Sequence, residues 1–254
     1  KSIDCISIMT LTAADADIVL NVMKSTDFDR ENESQFHPKP KPLFSFPKPI
    51  RIGLPISCQF LDDGQYQIAF TKAVENAKGL DLEFVAVDIV PFIKAGKLLY
   101  EGPWVAERYS VVEDLIDHHP EALDPTVRAV ISKARNFTAV DTFRSQYKLR
   151  ELEIKANEIW SQVDTLMVPT AITCPTIKEV EAEPILKNTA LGQYTNFVNL
   201  LGWSALALPS GFTNDGLPFV VTFIAPSGAD AALLENGMLW QKHVRMKLGL
   251  DLKQ

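Results

Sequence analysis

Apolar residues fall at helical spacing early in the chain: after Thr12 and Asp15, which read as a helix start, Ile18, Val19, Val22 and Met23 share one face. The spacing predicts a helix that turns this face into the core. Between His37 and Pro55 six prolines interrupt any regular pattern, and the alternation of Pro and Lys from Pro38 to Pro42 favours an extended left-handed backbone. Residues 37–49 therefore read as a surface connector crossing the fold, in preference to a ligand for a proline-recognising domain.

The period of the pattern then changes. Residues 51–54 read as a strand, Asp62 or Asp63 caps a helix that runs to Gly79, and residues 82–87 are again apolar strand formers. That order is a β-α-β unit, with parallel strands and a right-handed crossover. Helical patterns follow over 91–99, 103–118, 125–135 and 140–163, with most of their charge on a solvated face. Three short apolar runs, 165–168, 204–208 and 219–225, each stop at a proline: Pro169, Pro209 and Pro226. Their lack of alternation predicts strands covered on both faces. A last helix, over 230–247, is expected to lie across that sheet. With no internal repeat and no linker long enough to separate a second domain, the fold class is a single α/β layer structure.

Composition narrows what such a unit does. Its 254 residues are 46% hydrophobic, enough for a sizeable core, and the net charge of -7 is well mixed along the chain. Nucleic acid is a poor partner for a chain without a basic stripe, which leaves small molecules and proteins. No apolar run has membrane-spanning length. Cys5, Cys58 and Cys174 are odd in number and far apart, which fits reduced thiols of a cytoplasmic protein, buried as small apolar side chains, better than a disulfide framework. The sequence starts at Lys1 and runs at once into Ile3, Cys5 and Ile8, a pattern suited to the middle of a packed domain. The chain is therefore expected to begin inside a larger protein.

Candidate chemistry concentrates in residues 100–109, Tyr-Glu-Gly-Pro-Trp-Val-Ala-Glu-Arg-Tyr. A phenol at Tyr100, a helix start at Gly102 and Pro103, and a guanidinium at Arg108 outline an anion clamp, since an Arg fork pairs with a carboxylate in two parallel hydrogen bonds and a Tyr hydroxyl adds a third. An Arg so placed is most often a surface residue, but the aromatic neighbours Tyr100, Trp104 and Tyr109 would exclude water and strengthen a charge-assisted pair. Glu101 and Glu107 read as solvated charge, or more sharply as partners orienting Arg108. The His118-His119 pair reads as a helix end, because adjacent positions point to different faces and do not share a metal. Loops at the ends of the three short strands hold Thr170, Thr173, Ser210, Gly211, Ser227 and Gly228, where ligands gather in open α/β sheets, although such residues are more often turns and caps. No Gly-x-Ser-x-Gly elbow, phosphate-binding Gly loop or His/Cys metal cluster accompanies the clamp, so it reads as holding a substrate that other residues attack.

The clamp segment, the run Thr195-Asn196-Phe197-Val198-Asn199-Leu200-Leu201 leading to Ala207-Leu208-Pro209-Ser210-Gly211, and Gly216-Leu217-Pro218-Phe219 with Ile224-Ala225-Pro226 together resemble allophanate hydrolase. This is an amidase-signature enzyme, found alone in bacteria and fused to urea carboxylase in urea amidolyase. The resemblance covers nearly the whole chain, and its opening from Ser2 to Met23 looks like the segment just after the family's catalytic serine loop. It implies the amidase-signature fold: a mixed, mostly parallel central sheet covered by helices on both faces, here the C-terminal portion of one such domain over residues 1–254. It also implies hydrolysis of the urea-type C–N bond of allophanate to ammonia and carbon dioxide by a Ser, cis-Ser, Lys triad. That triad is expected upstream of Lys1, with no catalytic residue in this chain.

What the resemblance carries onto these residues is the clamp, in which Tyr100 and Arg108 hold the substrate's carboxylate. No metal or other cofactor is implied, biotin belonging to a fused carboxylase. The implied partners are allophanate, the N-terminal portion of the same domain, a fused urea carboxylase and a second subunit in a homodimer, with neither nucleic acid nor membrane. Two other readings stand beside it: a non-catalytic α/β carboxylate-binding or scaffold module, and a fragment of another amidase such as a glutamyl-tRNA amidotransferase subunit.

Overall fold

The computed structural model describes residues 2–23, 41–61 and 64–246. Asp62, Asp63, His37 to Pro40 and Lys247 thus lie outside the described residues, and with them the predicted cap, the start of the connector and the last residue of the final helix.

The β-α-β unit forms as its pattern predicts. β1 (Ile50–Pro55) and β2 (Leu82–Val87) pair in parallel, in register from Ile50 opposite Leu82, and are joined by α2 (Gly64–Ala77). β3 (Thr165–Pro169) adds in parallel on the other side of β1, and the strand order is β2-β1-β3-β5-β4. β4 (Ser204–Phe212) and β5 (Pro218–Ala225) form an antiparallel hairpin, with β5 inserted antiparallel against β3. Four strands therefore run one way and β5 alone runs back, a mixed sheet with helices around it. Alternate residues of β5 share a face: there Phe219 meets Tyr66 of α2, and Phe223 meets Trp240 of the final helix α10 (Asp230–Val244).

β4 differs from the expectation in length and burial. It runs through Pro209 to Phe212, with a bulge between Pro209 and Gly211, and its residues alternate between buried and exposed. The cause is its place at the sheet edge. An edge strand has a free side on which Pro need not donate, and only one neighbour to bury against. Gly211 supplies the positive φ of 146° in the bulge.

α1 (Ala13–Met23) begins as the sequence predicts: Asp15 N–H donates to Thr12 Oγ1 at 3.0 Å, and the Thr12 hydroxyl to Asp15 at 2.6 Å. Its burial is the reverse of the expectation. Ala13 and Ala16 are buried against Leu234 of α10, whereas Ile18, Val22 and Met23 are exposed, Val22 by 80%. Small residues make that contact because the approach is close: a Cβ on Gly237 of α10 would sit 3.1 Å from the Ala13 Cβ and 2.6 Å from Leu206 of β4. Periodicity identified a face of α1 without saying what it meets.

The described stretch of the connector, 41–49, has no regular structure and is pinned at Leu43, whose N–H donates to Gly228 O and whose carbonyl accepts from Ala232 N–H. The predicted helix over 125–135 is α5 (Pro125–Ile131) followed by a 3₁₀ turn, Ser132–Asn136. That over 140–163 is α6 (Ala139–Asn157) and a 3₁₀ turn, Glu158–Ser161. Between β3 and β4 lie three short helices that the pattern did not suggest: α7 (Ile177–Ala182), α8 (Pro184–Leu191) and α9 (Phe197–Leu200). The expectation of buried thiols fails at two positions. Cys5 and Cys174 are exposed, and only Cys58 is partly buried. Among the described residues no helix is long and apolar enough to cross a membrane.

Candidate functional site

α3 (Val90–Glu101) and α4 (Trp104–His118) follow each other with only Gly102 and Pro103 between them. Gly102 closes α3 with its N–H on Leu98 O at 3.0 Å, and a Cβ there would come within 2.6 Å of that same carbonyl oxygen, so the tight junction requires glycine. The turn brings the end of one helix over the start of the next. Tyr100, on the last turn of α3, presents its ring to Arg108, whose guanidinium carbon lies 4.9 Å from the ring centroid. That is cation–π distance, and the contact restricts where the fork can lie.

Arg108 has no carboxylate partner among the described residues, and its side chain is half-buried. Of the two acids proposed to orient it, Glu101 is exposed, and Glu107 is engaged elsewhere, accepting from Ser2 N–H at 2.7 Å and from the Ser2 hydroxyl. A guanidinium with no carboxylate partner among the described residues has its hydrogen-bond donors available to an anion.

Beside this pair opens a cleft of about 580 Å³ beyond the carboxyl ends of β1 and β2. It is lined by the apolar Ile56, Val87, Ile89 and Ile93, by Ile185 and Leu186 of α8, and by Lys94, Lys97, Lys133 and Tyr100. Tyr100 thus belongs to both the cleft and the stack, whereas Arg108 does not line the cleft. The helix carrying Tyr100 is held from behind. A Cβ on Gly96 would meet Phe197 N at 3.1 Å, so α3 rests directly on the α9 backbone, and beside that contact Phe92 and Phe197 each meet Trp203 edge to face. The run from Thr195 to Leu201 therefore serves as the bed on which the clamp helix lies.

The hydroxyls at the strand ends serve the fold. Thr170 and Thr222 hydroxyls hydrogen-bond each other at 2.7 Å, Ser210 donates to Leu208 O at 3.1 Å within β4, and Gly228 makes the turn before α10 with φ of 84°. Thr173 lies in the loop from β3 to α7, Ser227 just before Gly228. His118 closes α4, its ring 3.1 Å from Asp114, and among the described residues no group of His, Cys, Asp and Glu could hold a metal. One buried pair escaped the sequence reading. The Tyr194 hydroxyl, in the wall of the cleft, accepts from Gln59 N–H at 2.7 Å from a position 135 residues away. Burial pushes the neighbouring Cys58 thiol up to about 11, against a smaller opposing effect of its hydrogen bond with Tyr194, and burial likewise raises the Tyr194 phenol. Nothing local in the sequence joins these two residues.

Residues 1–234 match the family model described as Amidase, and the chain belongs to the amidase family. Within that family it is similar to the urea amidolyase of Lachancea kluyveri, at 39% identity over 238 residues covering 92% of this chain and 13% of the relative. Its fold matches the crystallised Kluyveromyces lactis allophanate hydrolase with a TM-score of 0.92 at 35% identity, over 100% of this chain and 42% of that one. It also matches the Kluyveromyces lactis urea amidolyase with a TM-score of 0.88 at 36% identity, over 96% of this chain and 15% of that one. The chain thus spans less than half the length of these proteins.

Proposed function

We propose that this chain is the substrate-binding portion of an amidohydrolase that cleaves the urea-type C–N bond of allophanate to ammonia and carbon dioxide, and that Tyr100 and Arg108 hold the substrate's carboxylate. The observation that carries the reading is the Arg108 guanidinium, 4.9 Å above the Tyr100 ring centroid and without a carboxylate partner among the described residues. The names of the relatives suggest the substrate, and the available guanidinium supports a site for its charge. A carboxylate docked on Arg108 gains two parallel charge-assisted bonds, and the Tyr100 hydroxyl is the natural third donor. The arrangement also selects against urea, a neutral amide that would leave the guanidinium desolvated and unpaired.

In this reading the serine nucleophile, its cis-serine partner and the proton-shuttling lysine come from a portion of the amidase domain outside these 254 residues. The longer polypeptide also carries a urea carboxylase, whose product is the substrate here, and works as a homodimer in the cytoplasm. A non-catalytic carboxylate-binding module would share the clamp but not the turnover.

The test is steady-state kinetics on the full-length protein. Arg108→Ala is expected to lower kcat/KM for allophanate by roughly a hundredfold, about 3 kcal/mol, with the fold intact by circular dichroism. An unchanged kcat/KM would show that the carboxylate is held elsewhere.

A further inference from the structure

Arg108 is followed by Tyr109, and Tyr109 belongs to a closed triangle of polar groups. Its hydroxyl donates to Asp117 Oδ1 at 3.1 Å and accepts from Arg135 Nε and Nη2 at 3.3 and 3.1 Å, while Arg135 Nη2 also pairs directly with Asp117. The Arg135 guanidinium carbon lies 5.5 Å from the centroid of the Tyr109 ring. Each member thus satisfies the other two, the phenol acting as donor and acceptor at once.

The triangle spans a defect. α4 is broken at Val112, where φ of -117° and ψ of 15° leave the helical region, with Tyr109 before the break and Asp117 after it. A helix interrupted in this way loses the continuous hydrogen-bond ladder that would fix the angle between its halves. Arg135 reaches the break from outside, from the 3₁₀ turn Ser132–Asn136 that packs on α4. The ion pair alone would contribute little, since the Arg135 and Asp117 side chains are 57% and 33% exposed and water screens such pairs. Its value is geometric: it ties both halves of α4 to a third element.

We propose that Arg135, acting through Tyr109 and Asp117, is a positioning residue that fixes the first half of α4, and with it Arg108, at the angle the carboxylate clamp requires. The proposal rests on the clamp reading above. Arg108 and Tyr109 are successive residues of one rigid turn, so a rotation of that turn about Val112 carries both.

Steady-state kinetics of the full-length protein on allophanate test it. Arg135→Met is expected to raise KM about tenfold while kcat stays within about twofold, because it loosens a binding group without touching the reacting atoms. Arg135→Lys, which retains a cation beside Asp117, recovers some of the loss. In an Arg108→Ala background the Arg135→Met change adds less than about twofold, since no clamp remains to be positioned. An equal loss in both backgrounds would make Arg135 a general stabiliser and overturn the proposal. An unchanged KM for Arg135→Met, with Arg108→Ala impaired, overturns it while leaving the clamp standing, and an Arg108→Ala protein of normal kinetics removes both. Should Arg135→Met not fold, Tyr109→Phe deletes only the hydroxyl at the centre of the triangle and is expected to raise KM about threefold; no change there overturns the proposal equally.

Discussion

Tyr100 and Arg108 carry the proposed site at the scale of single residues. Their types and the Gly-Pro between them suggest an anion clamp, because a guanidinium fork and a phenol can both donate to one carboxylate, but the stack itself required the Gly102 junction to fold one helix end over the next. Cys58 is the contrary case, a residue whose behaviour depends on neighbours far along the chain. Its folded thiol titrates at about 11 because burial disfavours the thiolate, whereas the unfolded thiol titrates near 9.0. Between those values the unfolded chain binds fewer protons than the folded one, so stability falls as pH rises through this window, by about 3 kcal/mol at most. The raised Tyr194 phenol adds a loss of the same sign at higher pH. Denaturant midpoints measured at about pH 8 and about pH 10.5 should therefore differ more for the wild type than for Cys58→Ala. Identical slopes would mean that the thiol is solvated in the folded protein.

At the scale of elements, long segments with strong local signals were legible and short or edge segments were not. α3 and α4 lie within two residues of their predicted limits because Pro91 and Pro103 mark their starts and a continuous apolar stripe marks their length. α7, α8 and α9, of six, eight and four residues, are too short to display a period, and they are fixed by what they pack against. β4 passes through a proline that the pattern read as a stop, since only the finished sheet shows that it is an edge strand. The contact of α3 with α9 gives this scale its prediction. Gly96→Val places two methyl groups where the Phe197 backbone lies 3.1 Å from a bare Cβ. The change is expected to destabilise the fold by about 1–3 kcal/mol, read from denaturant unfolding, and to raise KM for allophanate by displacing the helix that carries Tyr100. Wild-type stability in this variant would show that α3 moves freely on its bed.

The whole molecule presents an apolar surface that its core does not absorb. Ile6, Leu11, Ile18 and Val22 are each more than 60% exposed, and three of the four lie on or next to α1, whose fully buried residues are the small Ala13 and Ala16. Surfaces of this kind associate, so the 254-residue chain alone is expected to aggregate and to release no ammonia from allophanate. Replacing Ile18 and Val22 by Glu should lower its light scattering without shifting Tm, and an unchanged scattering signal would place the sticky surface elsewhere. Local pattern sufficed for the α/β class, the parallel β-α-β unit and the scaffold helices, because periodicity, proline position and side-chain chemistry act over a few neighbouring residues. The reversal of β5, the outward turn of the α1 stripe, the pairing of Cys58 with Tyr194 and the placing of Arg108 over Tyr100 came only with the folded chain. Each depends on which distant surfaces meet, and how closely two of them can approach is set by the glycines and alanines at the contact.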